Sequence, residues 1–92
     1  MDGFKIQGEW DSNKDQANLV KHGVSFTTAL TVLSDPLAIT RFHADHSESE
    51  ERWFTIGRTP PGECLVVFHT WRDVAPDAAA VRIISARKAA KA

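Results

Sequence analysis

The chain has no tyrosine and a single cysteine, Cys64. Without tyrosine, no phenol is available to move a proton or to stack on a base. One cysteine excludes an internal disulfide, which suits a reducing compartment. With Leu65 and Val66 beside it, the Cys64 thiol reads as a small packing group rather than a reactive one. No apolar run approaches the roughly 18 residues that a membrane-spanning helix needs. The first residues, Met-Asp-Gly-Phe-Lys-Ile-Gln-Gly-Glu, lack the basic stretch and apolar core of an export signal. A soluble, cytoplasmic protein without a membrane partner is therefore expected. Also missing are a Gly-rich phosphate loop, a CxxC pair, a GxSxG elbow and an HExxH helix. Nucleotide-binding, zinc-finger, serine-hydrolase and zincin readings lack support, and no cofactor is called for.

What is present fits one domain, residues 1–92, long enough for a modest core. Hydrophobic residues at 42% and charged residues at 25% are ordinary for a globular chain. The formal charge of −1 conceals an uneven distribution. Residues 43–51 hold Asp45, Glu48, Glu50 and Glu51 without lysine or arginine, whereas residues 81–92 hold Arg82, Arg87, Lys88 and Lys91 without a carboxylate side chain. A basic terminal segment is compatible with a phosphate-binding surface and equally with a solvated tail.

Helix signals come first and strand signals afterwards. Trp10-Asp11 closes a short possible strand. Ser12 is positioned to cap a helix over 13–22, with Asp15 three residues on, and Gly23 supplies a left-handed stop. Ser25 can cap a second helix with Phe26, Ala29, Leu30 and Leu33 on one face, ended by Asp35-Pro36. From Leu37 the pattern turns to β-branched and aromatic runs. Residues 37–42, 52–58, 64–71 and 81–87 read as strands, with Thr59-Pro-Pro-Gly62 as a hairpin turn. Arg72 to Ala80 reads as a flexible loop. The expectation is an α+β fold of two short N-terminal helices packed on a small antiparallel sheet of about four strands.

The pleat limits which side chains can act together. In the strand from Cys64, Leu65, Val67, His69 and Trp71 share one face, and Val66, Phe68, Thr70 and Arg72 the other. Both faces are largely apolar, so this strand should be central, with His69 and Arg72 as polar groups near its end that need partners or a ligand. Arg58 ends its strand on the face of Phe54 and Ile56. Arg82 alternates with Ile84 and Ala86, while Ser85 and Arg87 lie opposite with Val81 and Ile83. Arg58, Arg87 and Lys88 stand near strand ends where a sheet rim can gather them. Arg82, nearer mid-strand, is open to pairing with Glu51 or Asp35. Lys21-His22 ends the first helix, where the dipole alone explains cations; an imidazole there can also serve as acid or base beside a phosphate-holding lysine. His43-Ala-Asp45-His46 puts two imidazoles and a carboxylate within four residues, a candidate chelate without a second ligand cluster. The site is accordingly read without a metal.

Trp10-Asp11, Asn18-Leu-Val-Lys-His-Gly-Val-Ser-Phe26, Ala29, Asp35-Pro36, Asp45-His46-Ser47, Glu50-Glu51-Arg52, Ile56-Gly57-Arg58, Leu65-Val-Val67 and Arg82-Ile-Ile-Ser-Ala-Arg87 together, in this order, resemble the landmarks of BrnT-type toxins. The resemblance implies a fold similar to RelE-type ribonucleases and an RNA-cleaving toxin that stops translation. It implies neutralisation by a BrnA-like antitoxin with a ribbon-helix-helix segment, through which alone DNA would be reached. By the same resemblance, Arg58, Arg82 and Arg87 would hold the scissile phosphate and Lys21, His22 or His69 would move protons. Trp71, Arg72 and Lys88 would bind the RNA. Transphosphorylation needs a base for the 2′-hydroxyl, charge stabilisation of the transition state and an acid for the 5′-oxygen. Arginine forks and a histidine supply all three. The alternatives are a non-catalytic binding module and an inactive toxin relic acting only through its antitoxin partner.

Overall fold

The computed structural model describes residues 3–43 and 51–89. Strand β1 (Lys5–Glu9) leads into α1 (Ser12–His22) and α2 (Phe26–Val32). Five strands follow: β2 (Ile39–Phe42), β3 (Trp53–Arg58), β4 (Cys64–His69), β5 (Arg72–Ala75) and β6 (Ala78–Lys88).

Helix α1 is capped by Asp11 rather than Ser12. The Asp11 carboxylate accepts from the Asn13 and Lys14 amides at 2.7 and 3.4 Å. This leaves Asp15 free of the capping role expected for it, and its Oδ1 accepts from the Phe26 amide at 2.8 Å, tying α1 to the start of α2. Gly23 ends α1 at φ 71°, its N–H donating to the Leu19 carbonyl. Ser25 caps α2 as expected, accepting from the Thr28 amide at 3.1 Å. Phe26, Ala29 and Val32 form the fully buried face of α2; Val32 takes the place expected for Leu33, because the helix ends one residue before it.

Among the described residues the sheet corrects the expected count and direction: six strands, mixed rather than antiparallel, in the order β1-β6-β4-β3-β2 with β5 also on β6. β1 runs parallel to β6, while β2, β3 and β4 form the antiparallel meander expected. The loop expected over Arg72–Ala80 is instead β5, a tight Pro76-Asp77 turn and the opening of β6. Proline at the second turn position fixes the reversal. Ala78, Ala79 and Ala80 are nearly fully buried where β1 and β5 flank β6. Alanine's low strand propensity is overridden there by two strand neighbours.

Helix α2 lies on one sheet face, burying Leu65, Val67, Ile83 and Ala86 beneath Val24, Phe26, Ala29 and Val32, with Trp10 and Leu30 at the margin. β4 is central, between β6 and β3, as its apolar faces require. Close approach of α2 needs Gly57, since a Cβ there would lie 3.0 Å from Val32 Cγ1 and from Ala38 Cβ. A bulge then breaks the pleat of β6: Phe68 pairs with Ser85, but His69 pairs with Ile83, so Ile84 is the extra residue. Ile83 and Ala86 therefore share the helix-covered core, and the strict alternation expected along β6 does not hold.

Candidate nucleic-acid interface

Helix α1 turns one polar face toward β6. Lys14, Asn18, Lys21 and His22 stand at i, i+4, i+7 and i+8, one stripe of a helix. With Ala17, Ile84 and Ser85 they line a cleft of about 220 Å³. A second cleft of about 220 Å³ is lined by His43, Arg52, Phe68, Ile84 and Ser85. Ile84 and Ser85 belong to both, so the two join into one groove across β6. The bulge makes this possible, because two successive β6 residues both line the groove.

Beyond Ser85 the groove runs onto the sheet face opposite α2. The Arg87 guanidinium carbon lies 5.7 Å from the Phe68 ring centroid, within cation–π range. Phe68 packs against His43 and Phe54, with centroids 5.3 and 6.1 Å apart. Arg41, paired with Phe54 across β2 and β3, shares that face. Among the described residues, no carboxylate lines either cleft. A chain of net charge −1 has gathered Lys14, Lys21, Arg52 and Arg87, together with two imidazoles, along one groove.

Of the residues expected to act, Lys21 and His22 line this groove, and Arg87 lies over Phe68 of its second half. The others stand elsewhere. Arg58 follows the pleat of Phe54 and Ile56, but its Nη1 donates to the Gly62 carbonyl at 2.7 Å in the β3–β4 hairpin. Its amide donates to Asp35, whose carboxyl is held below its usual range by hydrogen bonds from the Arg58 and Leu37 amides. Lys88 Nζ lies 3.4 Å from Glu63. Arg72, Arg82 and Trp71 line a separate hollow with Glu9, Glu51 and Thr70. Arg82 thus sits near one acid expected to face it, Glu51, while Asp35 is engaged at the other site. Trp71 stacks on Phe4 at 5.9 Å and donates its indole N–H to Asp73.

His69 is wholly buried. Its Nδ1 faces the Thr70 carbonyl at 2.8 Å and so carries the proton, leaving Nε2 to accept from the Thr55 hydroxyl at 2.7 Å. Thr55 in turn meets the Thr40 hydroxyl at 2.8 Å. Burial lowers the His69 pKa, only partly offset by the bond to Thr70. With both ring nitrogens committed inside the sheet, this imidazole holds the frame and does not reach the groove.

Sequence reasoning did not name Lys14, Arg52, Phe68 and Ser85, which line the clefts, or Arg41 on the adjoining sheet face, as site residues, and weighed His43 only as a metal ligand. Lys14 carried a readable signal, its spacing from Asn18 and Lys21; Ser85 carried none, because the bulge depends on the partner strand. Among the described residues no three potential ligands gather as a metal site. In the His43-Ala-Asp45-His46 candidate, residues 44–46 lie outside the described residues.

The model of the family described as "Ribonuclease toxin, BrnT, of type II toxin-antitoxin system" matches residues 10–92. The chain belongs to the BrnT family. Membership makes it a toxin-family protein with an antitoxin as its counterpart. Its fold is similar to the crystal structure of the Brucella abortus ribonuclease toxin, BrnT, at TM-score 0.60 and 24% identity. That match covers 95% of this chain and 99% of the other. Comparison with curated proteins returns no match. No described helix is long and apolar enough to cross a membrane.

Proposed function

We propose that the chain is a metal-independent endoribonuclease that stops translation by cleaving RNA in the groove between α1 and β6. The observation that carries this reading is the joined cleft in which Lys21 and His22 of α1 face Ser85 of β6, with Arg87 alongside and no described carboxylate in the lining. A cation-lined groove attracts the RNA backbone and concentrates it over the reacting groups. Phe68, half-buried beneath Arg87 and beside His43, adds an aromatic floor for an unpaired base.

The chemistry is an in-line displacement within the RNA. His22 takes the proton of a ribose 2′-hydroxyl, and the freed oxygen attacks the adjacent phosphorus. The bond from phosphorus to the 5′-oxygen breaks as that oxygen gains a proton. The products are a 2′,3′-cyclic phosphate and a 5′-hydroxyl. Arg87 and Lys21 stabilise the added negative charge on the phosphoryl oxygens. The proton donor to the leaving oxygen is a second group of the groove, for which His43 is the nearest fit in kind. The helices-on-sheet architecture is read as kin to RelE-type ribonucleases. The antitoxin is read as BrnA-like, with a ribbon-helix-helix segment that alone contacts DNA, and the working compartment as the cytoplasm.

The test is cleavage of a labelled RNA by the purified chain in excess chelator, beside Arg87→Ala and His22→Ala. Cleavage by the parent that falls about tenfold or more in each variant, about 1.4 kcal/mol of transition-state stabilisation, is the expected result. A folded parent that cleaves nothing, with or without ribosomes, would sink the reading.

A further inference from the structure

Asn18 is a buried amide in the middle of the reactive face of α1, with every hydrogen-bonding group engaged. Its Nδ2 donates to the Val24 carbonyl at 2.9 Å and to the Ala86 carbonyl at 2.8 Å. Its Oδ1 accepts from the Ala86 amide at 3.1 Å. The orientation is unambiguous, since a flipped amide would turn its oxygen toward two carbonyls and its NH₂ toward an N–H.

The position of Ala86 explains the arrangement. β1 pairs with β6 only as far as Glu9 opposite Arg82. β4 covers the other side of β6 as far as Lys88. Past Arg82, among the described residues, no strand lies on the side of β6 away from β4, and bare edge groups are costly when buried. The Asn18 amide presents one donor and one acceptor to the N–H and C=O of a single residue, as a neighbouring strand's peptide would. It stands in for the missing strand, and through Val24 it also holds the α1–α2 junction.

Lys14 lies one turn before Asn18 on the same stripe, and Lys21 and His22 one turn after it. Ser85 and Arg87 flank Ala86 on β6. We infer that Asn18 is a positioning residue: its paired grip on Ala86 sets the distance across the groove between the α1 cations with His22 and the β6 residues Ser85 and Arg87. This rests on the ribonuclease reading of the groove. The amide's polar atoms are spent on the Val24 and Ala86 backbone and it carries no charge, so its loss should misplace reacting groups rather than weaken attraction of the phosphate backbone. An error on the order of an ångström in such geometry costs about a hundredfold in rate.

The test compares Asn18→Ala with Val32→Ala, a core truncation beneath α2 that does not line the groove, at a temperature where circular dichroism shows both folded. Asn18→Ala is expected to lower kcat by about tenfold or more with KM within about threefold of the parent, while Val32→Ala keeps the parent kcat. In a Cys64→Ser background, spin labels at Val20→Cys on α1 and Val74→Cys on β5 report the helix position without any substrate. Their distance distribution is expected to shift or broaden in Asn18→Ala only. A kcat within about twofold of the parent overturns the inference, whatever the labels show. A parent that cleaves nothing instead removes the ribonuclease reading and leaves the labels to decide: an unchanged distribution then overturns the clamp. Should Asn18→Ala not fold, Asn18→Ser, whose hydroxyl still donates to one carbonyl, is measured in its place with the same expectation.

Discussion

Acid should destabilise this fold through His69, and His69→Gln should remove that part of the loss. The ring is wholly buried, with Nδ1–H on the Thr70 carbonyl and Nε2 accepting from Thr55. Protonating Nε2 would bury a cation and turn the acceptor into a second donor against a hydroxyl that already donates to it. Burial therefore holds the folded-state pKa below the ordinary value of 6.5. As pH falls through about 6.5, the unfolded chain takes up the proton first, so stability drops until the folded pKa is reached. The loss from this one group is at most about 1.4 kcal/mol per pH unit. For a chain of this size that is about 5–10 °C in Tm per unit. A glutamine at 69 can donate to Thr70 and accept from Thr55 but does not titrate. Urea unfolding of parent and His69→Gln between about pH 7.5 and about pH 5 gives the two stability curves. The gap between them should change steadily in favour of the variant below about pH 6.5. Parallel curves would refute the argument. Because His69 does not line the groove, the folded variant should also retain RNA cleavage to within about threefold of the parent.

Gly57→Ala should destabilise by about 1–3 kcal/mol. The new methyl would stand 3.0 Å from Val32 Cγ1 and Ala38 Cβ and 3.1 Å from Asp35 Oδ2, forcing α2 from the sheet; a Tm equal to the parent's would show that α2 shifts without cost. Lys14→Ala should weaken RNA binding and make the slope of log K against log salt shallower by about 0.7, the value for one phosphate contact on a single strand. Fluorescence anisotropy across a salt series measures it, and an unchanged slope would remove Lys14 from the RNA path.

How far the sequence could be read depended on whether each feature is local. The helix expected at 13–22 and found at 12–22, its stop at Gly23, the Ser25 cap and the Thr59–Gly62 turn are set within a few residues, and each stands within one residue of its expected place. Asp11 displaced Ser12 as the cap because a carboxylate satisfies two amides and has the helix dipole in its favour. The alanine run at 78–80 misled because its burial depends on β1, a strand some seventy residues away in sequence, as well as on the adjacent β5. Position 69 misled for a related reason: an imidazole at a strand end looks available until Thr55, on the neighbouring strand, is known to engage it. Lys21, His22 and Arg87 were legible as candidates because charge at a helix end and at a strand end is a local feature, whereas the groove that Lys21 and His22 line is not.

The groove itself is a product of register. Were β6 to pair with β4 without interruption, Ser85 and Ile84 would face opposite sides of the sheet and only one would line a given cleft. The slip at Phe68/His69 places Ile83 and Ala86 together in the core, with the two residues between them bordering both clefts. The same slip lies beside Ala86, whose backbone Asn18 holds in place of a strand. One inserted residue thus joins the α1 half of the site to the sheet half, and one side chain fixes their separation. Deleting Ile84 would leave His69 opposite Ile83, Phe68 opposite Ser85 and Val67 opposite Ala86 in one regular ladder, so Ile83 and Ala86 keep the core while a residue that borders both clefts is lost; RNA cleavage is expected to fall about tenfold or more in a variant that circular dichroism shows folded, and cleavage within about twofold of the parent would show that the bulge does not serve the groove.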